Sequence, residues 1–347
     1  MSSRFSPGVV AALVAALLFG VSAPIAKWLL QAASPLMLAG LLYLGSGLGL
    51  SLYRLVSHAQ PVSLSRHEAG WFAAAVLTGG VVGPALLMYG LTGMPASGAA
   101  LLLNAEGVLT ALLAWVVFKE NFDRRIALGM IAIAGGAVIL SWPGDARFAG
   151  AWPALAILGA CLCWAVDNNL TRKVALADAT WIAAVKGSVA GSVNLGLGLL
   201  LGAEIPGLWS IPAALLVGLL AYGISLVLFV VGMRHLGTAR AGAYFSVAPF
   251  FGALLAVLGG EPVTLPLLLA GALMALGIWL HLTERHEHAH AHEALEHSHE
   301  HVHDEHHQHP HDTPVPVDTK HTHPHRHEPM VHTHAHFPDA HHQGHHH

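Results

Sequence analysis

From about residue 8 to residue 283 the chain alternates between apolar runs close to 20 residues long and short clusters of Gly, Pro and charge. A membrane-crossing helix needs about 20 predominantly apolar residues. That window predicts ten spans, near 8–30, 34–56, 69–92, 95–118, 125–142, 150–172, 179–202, 209–234, 238–259 and 264–283. Strand-type alternation is absent from this region, which argues against a membrane barrel. Val21-Ser22-Ala23 offers a small-residue site of the kind that ends a secretory signal. The apolar run continues past it through Ile25 to Leu30, so the first segment reads as a span. Trp28, Trp71, Trp142, Trp152, Trp181, Trp209 and Trp279 fall near predicted span ends, where interfacial anchors belong.

Composition agrees with the pattern. Hydrophobic residues make up 54% of the chain and charged residues 10%, and the mean hydropathy is +0.57. Residues 286–347 hold 24 of the 28 histidines, with ten acids and two bases for a formal charge of −8. Residues 1–285 hold the other ten acids and fourteen bases, a net of +4. A soluble domain of that size would carry about 70 charged residues. The fold class expected is therefore an all-α membrane protein with ten transmembrane helices and a disordered histidine-rich tail. Neither part has the strongly basic balance of a nucleic-acid binder. Cys161 and Cys163 stand two apart in one apolar segment, which suits neither a disulfide framework nor a zinc site. No phosphate-binding loop, nucleophile elbow or His-Glu-x-x-His helix occurs, so no enzyme is expected.

Basic residues set an orientation. Arg4, Arg54, Arg66, Lys119, Arg124, Arg125, Arg172, Lys173, Arg234, Arg240 and Arg285 lie at one set of span ends, while the other set holds Arg147, with Lys27 at a rim. Both termini and the tail are expected in the cytoplasm of a cell bounded by a plasma, or inner, membrane.

The chain also repeats itself after five spans. Phe19 to Lys27 aligns with Trp164 to Arg172, with a base closing both. Gly129 and Gly135 match Gly271 and Gly277, and Lys119-Glu120 matches Gly260-Glu261. An odd number of spans per copy inverts the second copy, as in secondary transporters that alternate between two open states. The expected units are 8–142, 150–283 and the tail, 286–347.

Spans 4 and 5, from Ala99 through Asn104-Ala105-Glu106-Gly107 to Trp115, then Phe118-Lys119-Glu120-Asn121 and Gly129 to Gly136, resemble an EamA-type domain of the drug/metabolite transporter superfamily. Tyr244 to Phe250, through Glu261 to Gly277, resembles its second copy. The resemblance implies ten helices in two tandem domains, an inner-membrane location and transport of small organic solutes. The family pattern often has Pro where this chain has Gly107, so the resemblance does not by itself carry a helix break to that point.

Polar residues within spans are expensive in hydrocarbon and mark candidate sites. Glu106 sits near the middle of span 4, with Asn104 before it and Thr110 a turn after. Asp167, Asn168 and Asn169 occupy span 6, with Thr171 a turn beyond Asp167; Lys186 and Asn194 share a face of span 7. One reading makes a carboxylate the proton-coupling site and the asparagines hydrogen-bonders to solute. The other has Lys186 pair with Glu106 or Asp167 only to satisfy buried charge. Both predict side chains turned inward. Pro24, Pro84 and Pro249 interrupt spans, and Gly45/Gly49, Gly187/Gly191 and Gly198/Gly202 have helix-packing spacing. Glu120 and Glu261, at membrane surfaces, read as caps.

In the tail, His286, His288, His290 and His292, then His297, His299, His301 and His303, then His321, His323, His325 and His327 alternate with other residues. Neutral imidazoles in that pattern are ligands for zinc, nickel, copper or cobalt. Three functions follow: a permease for organic solutes with a metal-binding tail, a divalent-metal transporter, or a metal-responsive membrane scaffold. Metal permeation calls for ligands on facing spans, and the spans offer only His235 and His281, both near helix ends, which favours the first. The partners expected are a small solute, the bilayer and metal ions at the tail, with a homodimer among the allowed assemblies; no cofactor is expected for transport. Protons compete with metal for imidazole, which titrates near pH 6.5. Calorimetry on the tail is expected to show zinc or nickel binding at pH 7.5 that weakens as pH falls toward 6; no binding at pH 7.5 rules out the metal role.

Overall fold

The computed structural model describes residues 7–118, 124–141, 151–171, 174, 178–236 and 244–282, and in the tail 287–292, 295–301, 321–327 and 330–335. Two units separate, Met1–Glu284 and Arg285–His347.

The first unit is all-helical among its described residues, and each expected span has a counterpart. Spans 2, 6 and 7 are single helices, Pro35–Val56, Trp152–Thr171 and Ala179–Leu200. Spans 5 and 10 are Arg124–Ser141 and Leu265–Leu282. Among the described residues seven helices are long and apolar enough to cross a membrane, and shorter apolar helices at Ala127–Ser141, Ala248–Leu258 and Leu265–Leu280 occupy spans 5, 9 and 10. Trp28, Trp71, Trp152, Trp209 and Trp279 are exposed near helix ends; Trp142 lies outside the described residues.

The remaining spans are interrupted. Span 1 is Pro7–Gly20 followed by Ser22–Leu29. Span 3 passes from Arg66–Ala75 through a π-helical stretch, Val76–Val82, into Gly83–Gly93. Span 8 does the same at Ser210–Gly218, Leu219–Ile224 and Ser225–Leu236. Span 4 breaks between Ala96–Leu102 and Ala105–Phe118, and the second piece of span 9, Ala248–Leu258, follows a turn at Ser246 and Val247. The breaks in 3 and 8, and those in 4 and 9, sit at equivalent places in the two repeats. Pro249 stands in the first turn after the turn at Ser246 and Val247, where a missing N–H costs no helix bond, whereas Pro84, directly after the π-stretch, has no N–H to offer the carbonyls before it. Pro24, like Pro249, lies in a first turn, that of Ser22–Leu29. A break in span 4 is present although Gly107 replaces the family's proline; it falls just ahead of that position.

Helix pairing follows the same symmetry. Spans 2 and 7, 5 and 10, and 4 and 9 pack on their own counterparts, while span 1 packs on span 8 as span 6 packs on span 3. Small residues permit the close crossings. A Cβ on Gly47 would lie 2.3 Å from the Ser188 nitrogen, and one on Gly187 2.6 Å from the Gly47 nitrogen, so spans 2 and 7 meet backbone to backbone. Gly45 faces the Leu215 carbonyl and Gly218 the Leu42 carbonyl, at 2.1 and 1.9 Å from a built Cβ. Gly45/Gly49 and Gly187/Gly191 thus act in packing. Gly202 does not: it takes φ +79° with nothing near it, a left-handed turn after span 7.

In the tail the expectation of disorder meets two antiparallel ladders. Glu287–His292 pairs with Met330–Ala335, and Leu295–His301 with His321–His327. Alternating sequence has the two-residue period of a strand, which explains local pairing. A two-stranded ladder is at best marginally stable in water, and this composition offers no apolar face to build on.

Gly218→Val should lower the melting temperature of the detergent-solubilised protein by an amount equivalent to about 1–3 kcal/mol or more, through overpacking against Leu42. Gly196→Ala, where nothing lies within 4 Å of the built Cβ, should leave it unchanged or raised.

Candidate functional site

The polar residues of spans 4, 6 and 7 converge where the broken helices meet the straight ones. Lys186 Nζ donates to both carboxylate oxygens of Asp167, at 2.7 and 2.6 Å. The Thr171 hydroxyl donates to Asp167 Oδ1 at 2.9 Å. The pair is largely buried, with side-chain exposures of 8% for Asp167 and 17% for Lys186. Gly79 makes room for it, since a Cβ there would fall 2.0 Å from Asp167 Oδ2.

Glu106 sits in a different setting. It is half-buried, and the exposed Asn168 donates to its Oε1 at 2.9 Å. Asn168 also reaches Thr110 Oγ1 at 3.5 Å. Asn169 is buried and donates to the Ala165 carbonyl of its own helix at 2.8 Å and to the Thr110 carbonyl at 3.4 Å. Spans 4 and 6 are therefore tied together by the amides of span 6. Asn104 turns elsewhere: its amide donates to the Leu101 carbonyl at 3.0 Å, at the break in span 4, and contacts Met274 Sδ of span 10 at 3.7 Å. Of the two pairings the sequence allowed for Lys186, the ion pair forms with Asp167.

Reading the sequence passes over Tyr43 and Trp164 as residues that hold the break in span 3, and marks Asn194 only as a polar residue on the Lys186 face. Tyr43 Oη and Trp164 Nε1 both donate to the Gly79 carbonyl, at 3.0 and 2.9 Å. Asn194, fully buried, donates its amide to the Gly80 and Val81 carbonyls at 3.4 and 3.3 Å. A π-turn pairs a carbonyl with the N–H five residues on, as Gly83 does with Thr78, but Pro84, five residues after Gly79, has no N–H, and in hydrocarbon the carbonyl left over needs another donor. The visible signal was Gly79-Gly80 at the centre of an apolar span, opposite a tyrosine in mid-span 2. Aromatic rings continue this wall into the second repeat. Tyr43 lies 5.4 Å from Tyr222, Phe19 5.9 Å from Tyr222 and 5.4 Å from Phe245. Phe19 borders the π-turn of span 8 as its repeat counterpart Trp164 borders that of span 3.

The arrangement holds one charge pair closed on itself and leaves a second carboxylate with a neutral amide partner. Among the described residues no three His, Cys, Asp or Glu side chains gather as metal ligands. The histidines of the tail are located by backbone register alone. His288 stands opposite His334, His290 opposite His332, His297 opposite His325, His299 opposite His323 and His301 opposite His321. His292 faces Met330 and His327 faces Leu295. His286 and His303 lie outside the described residues.

The model of the EamA-like transporter family matches residues 6–142 and again 151–283. The chain belongs to the EamA-like transporter family. It is a multi-pass membrane transporter and not an enzyme. An "Uncharacterized transporter" of Methanothermobacter thermautotrophicus strain Delta H is 28% identical over 293 residues, covering 79% of this chain and 85% of that one. A solved crystal structure with 20% sequence identity superposes with a TM-score of 0.61, over 79% of this chain and 95% of its own, and shares the fold. Both matched stretches of this EamA-like transporter contribute to the cluster: Tyr43, Gly79 and Glu106 from the first, Asp167, Asn168 and Lys186 from the second.

Removing one partner of a buried ion pair strands the other. Lys186→Met should destabilise the solubilised protein by about 3 kcal/mol. Adding Asp167→Asn should restore most of the loss, because the amide keeps the Thr171 bond without a buried charge. Thermal unfolding of the single and double variants measures this; equal losses in both would show that the pair is not the source.

Proposed function

We propose that the protein carries small organic solutes across the plasma membrane by alternating access, with flux coupled to protons through Glu106. The observation that carries this reading is the unequal treatment of the two carboxylates. Asp167 is neutralised by Lys186 and Thr171, so changing its protonation breaks a buried ion pair. Glu106 bonds a neutral amide and is partly exposed, so it exchanges a proton at the cost of one hydrogen bond. Asn168, bonded to Glu106 and exposed, is placed to report that exchange to a solute, with Asn169 and Asn104 bracing spans 6 and 4 around it. Inverted repeats with matching breaks supply the two related conformations that alternating access uses.

The eleven-to-one bias of basic residues supports a cytoplasmic location for both termini and the tail. The tail binds zinc, nickel, cobalt or copper there through its alternating histidines; the facing His registers of the two ladders support pairs of imidazoles as the ligand unit. Metal is in this reading a ligand of the tail and not the cargo.

Proteoliposomes loaded with amino acids, sugars, nucleobases or divalent metals, assayed for uptake and efflux with and without a pH gradient, test the function. An organic solute is expected to move and divalent metal is not; metal flux without organic flux overturns the cargo. For the solute found, Glu106→Gln should lose gradient-driven accumulation by tenfold or more, on the order of a general acid–base contribution. Solute counterflow should persist. Full gradient-driven transport by Glu106→Gln would exclude the coupling role.

A further inference from the structure

At the end of the bundle away from the basic residues, two charged side chains from different repeats grasp the same turn. That turn, Leu91 to Ser97, joins span 3 to span 4 through Met94 and Pro95. Lys27, in the last turn of span 1, donates from Nζ to the Leu91 carbonyl at 3.0 Å and to the Met94 carbonyl. These carbonyls end span 3, and a cation there completes their bonding and opposes the negative end of the helix. Glu261, in the loop between spans 9 and 10, accepts from the Ala96 N–H at 2.7 Å and the Ser97 N–H at 2.9 Å. Those N–H groups begin span 4. One hairpin is thus held at its incoming end by the first repeat and at its outgoing end by the second.

The backbone around Glu261 is shaped for this contact. Gly260 takes φ +102°, a left-handed conformation that glycine adopts without strain, and it turns the chain directly before the carboxylate. Partial burial pushes the Glu261 carboxyl up, but the Ser97 hydroxyl, the Ser97 and Ala96 N–H groups and the Lys27 charge outweigh it and hold it below the usual carboxylate range. A depressed carboxyl keeps its contribution at neutral pH and loses it only as acid carries the pH down through that lowered value.

Beneath these contacts spans 1, 4 and 9 close on one another with almost no side chain between them. A Cβ on Gly20 would lie 2.0 Å from the Ala248 carbonyl oxygen. One on Gly252 would lie 2.5 Å from the Gly20 carbonyl oxygen and 2.9 Å from the Ala100 Cβ. Ala99 and Ala100 are fully buried. The seam runs from the Lys27 end of the bundle toward mid-membrane, where Glu106 is half-buried and Asn168 exposed.

We propose that Lys27 and Glu261 form a latch that closes the Lys27 end of the transport pathway, with the Gly20, Ala100, Ala248 and Gly252 seam as the closed door beneath it. The latch rests on the transport reading above, and on its orientation only for the name of the face it closes, the external one. A hairpin held by charge at both ends and sealed by small residues separates as a unit once the charges let go. The seam contacts involve backbone and the Ala100 methyl with no interdigitating side chains, so they slide apart without a rotamer change once the charge-assisted bonds release. Solute release to that face then requires both side chains to let go of the hairpin, and re-forming their bonds resets the carrier.

The test uses the full chain with Cys161→Ala and Cys163→Ala, a reporter Ala100→Cys in the seam, and a membrane-impermeant maleimide applied to each face of reconstituted vesicles. With the latch intact the reporter should label slowly from both faces. Glu261→Gln and Lys27→Met should each raise labelling from the external face by about tenfold or more, because losing one charge-assisted bond shifts a two-state equilibrium by about that factor. Lys27→Arg, which keeps the charge and donors, should stay near the parent rate. Gly252→Leu, which wedges the seam open without touching the latch, should reach the elevated rate by itself. Monodispersity in detergent confirms that each variant is folded, and the two latch variants are independent of one another. Unchanged labelling in both folded latch variants overturns the proposal. A rise confined to the opposite face, the one that carries Arg54 and Arg66, overturns the proposal as well.

Discussion

In a bilayer a backbone carbonyl or N–H without a partner has no water to turn to, and this constraint orders the interior of the protein. Straight helices meet it internally. Spans 3, 4, 8 and 9 do not, because each is interrupted near the middle of its apolar stretch. In spans 3 and 4 the exposed carbonyls are taken up by side chains: Gly79 by Tyr43 and Trp164, Gly80 and Val81 by Asn194 and, within span 4 itself, Leu101 by Asn104. At the span ends Lys27 and Glu261 do the same for the hairpin between spans 3 and 4. Lys27, Asn104, Asn169, Asn194 and Glu261 thus each serve a backbone group as well as any part in transport.

This explains why the charge-bearing cluster lies where it does. A π-turn at Gly79 and Gly80 thins span 3 and lets Asp167 approach its backbone, and the same turn is held by rings from spans 2 and 6. The ion pair with Lys186 is then enclosed by helices from both repeats. A charge pair costs desolvation that its mutual attraction repays only with good geometry and further hydrogen bonds, which here come from two-oxygen contact and the Thr171 hydroxyl. Glu106, one helix away, is left with an amide. Two acids in one bundle are thereby given different chemistry by their neighbours.

The repeat makes both features symmetric in backbone but not in side chains. The breaks recur at matching places, and spans 2 with 7, 4 with 9 and 5 with 10 pair across the pseudo-two-fold. Yet Asp167 has Ser22 as its counterpart, and Trp164 has Phe19. The second copy carries the buried charge, while the first carries aromatic and hydroxyl groups around Tyr222. The backbone symmetry is thus not matched by the side chains, and the cluster holds its ion pair on the second copy alone.

What the sequence determined by itself is what depends on long stretches or on counts. The ten spans follow from the length of apolar runs, the inverted repeat from their odd number per copy, and the membership from motifs in spans 4, 5, 9 and 10. Pro84 and Pro249 marked two of the breaks correctly, because a proline's missing N–H is a local fact. The break in span 4 carries no such mark, and neither Tyr43 nor Trp164 announced its role, since a tyrosine in an apolar helix looks like core until a free carbonyl stands opposite. The partner of Lys186 was likewise open between two acids; the seating of Asp167 against Gly79 decided it. So was the service of Glu261, whose contacts lie in the other repeat, 165 and 164 residues away. Local pattern fixes which segments enter the membrane, but which polar group meets which is a matter of long-range packing, because in hydrocarbon the partner is whatever the fold brings within about 3 Å.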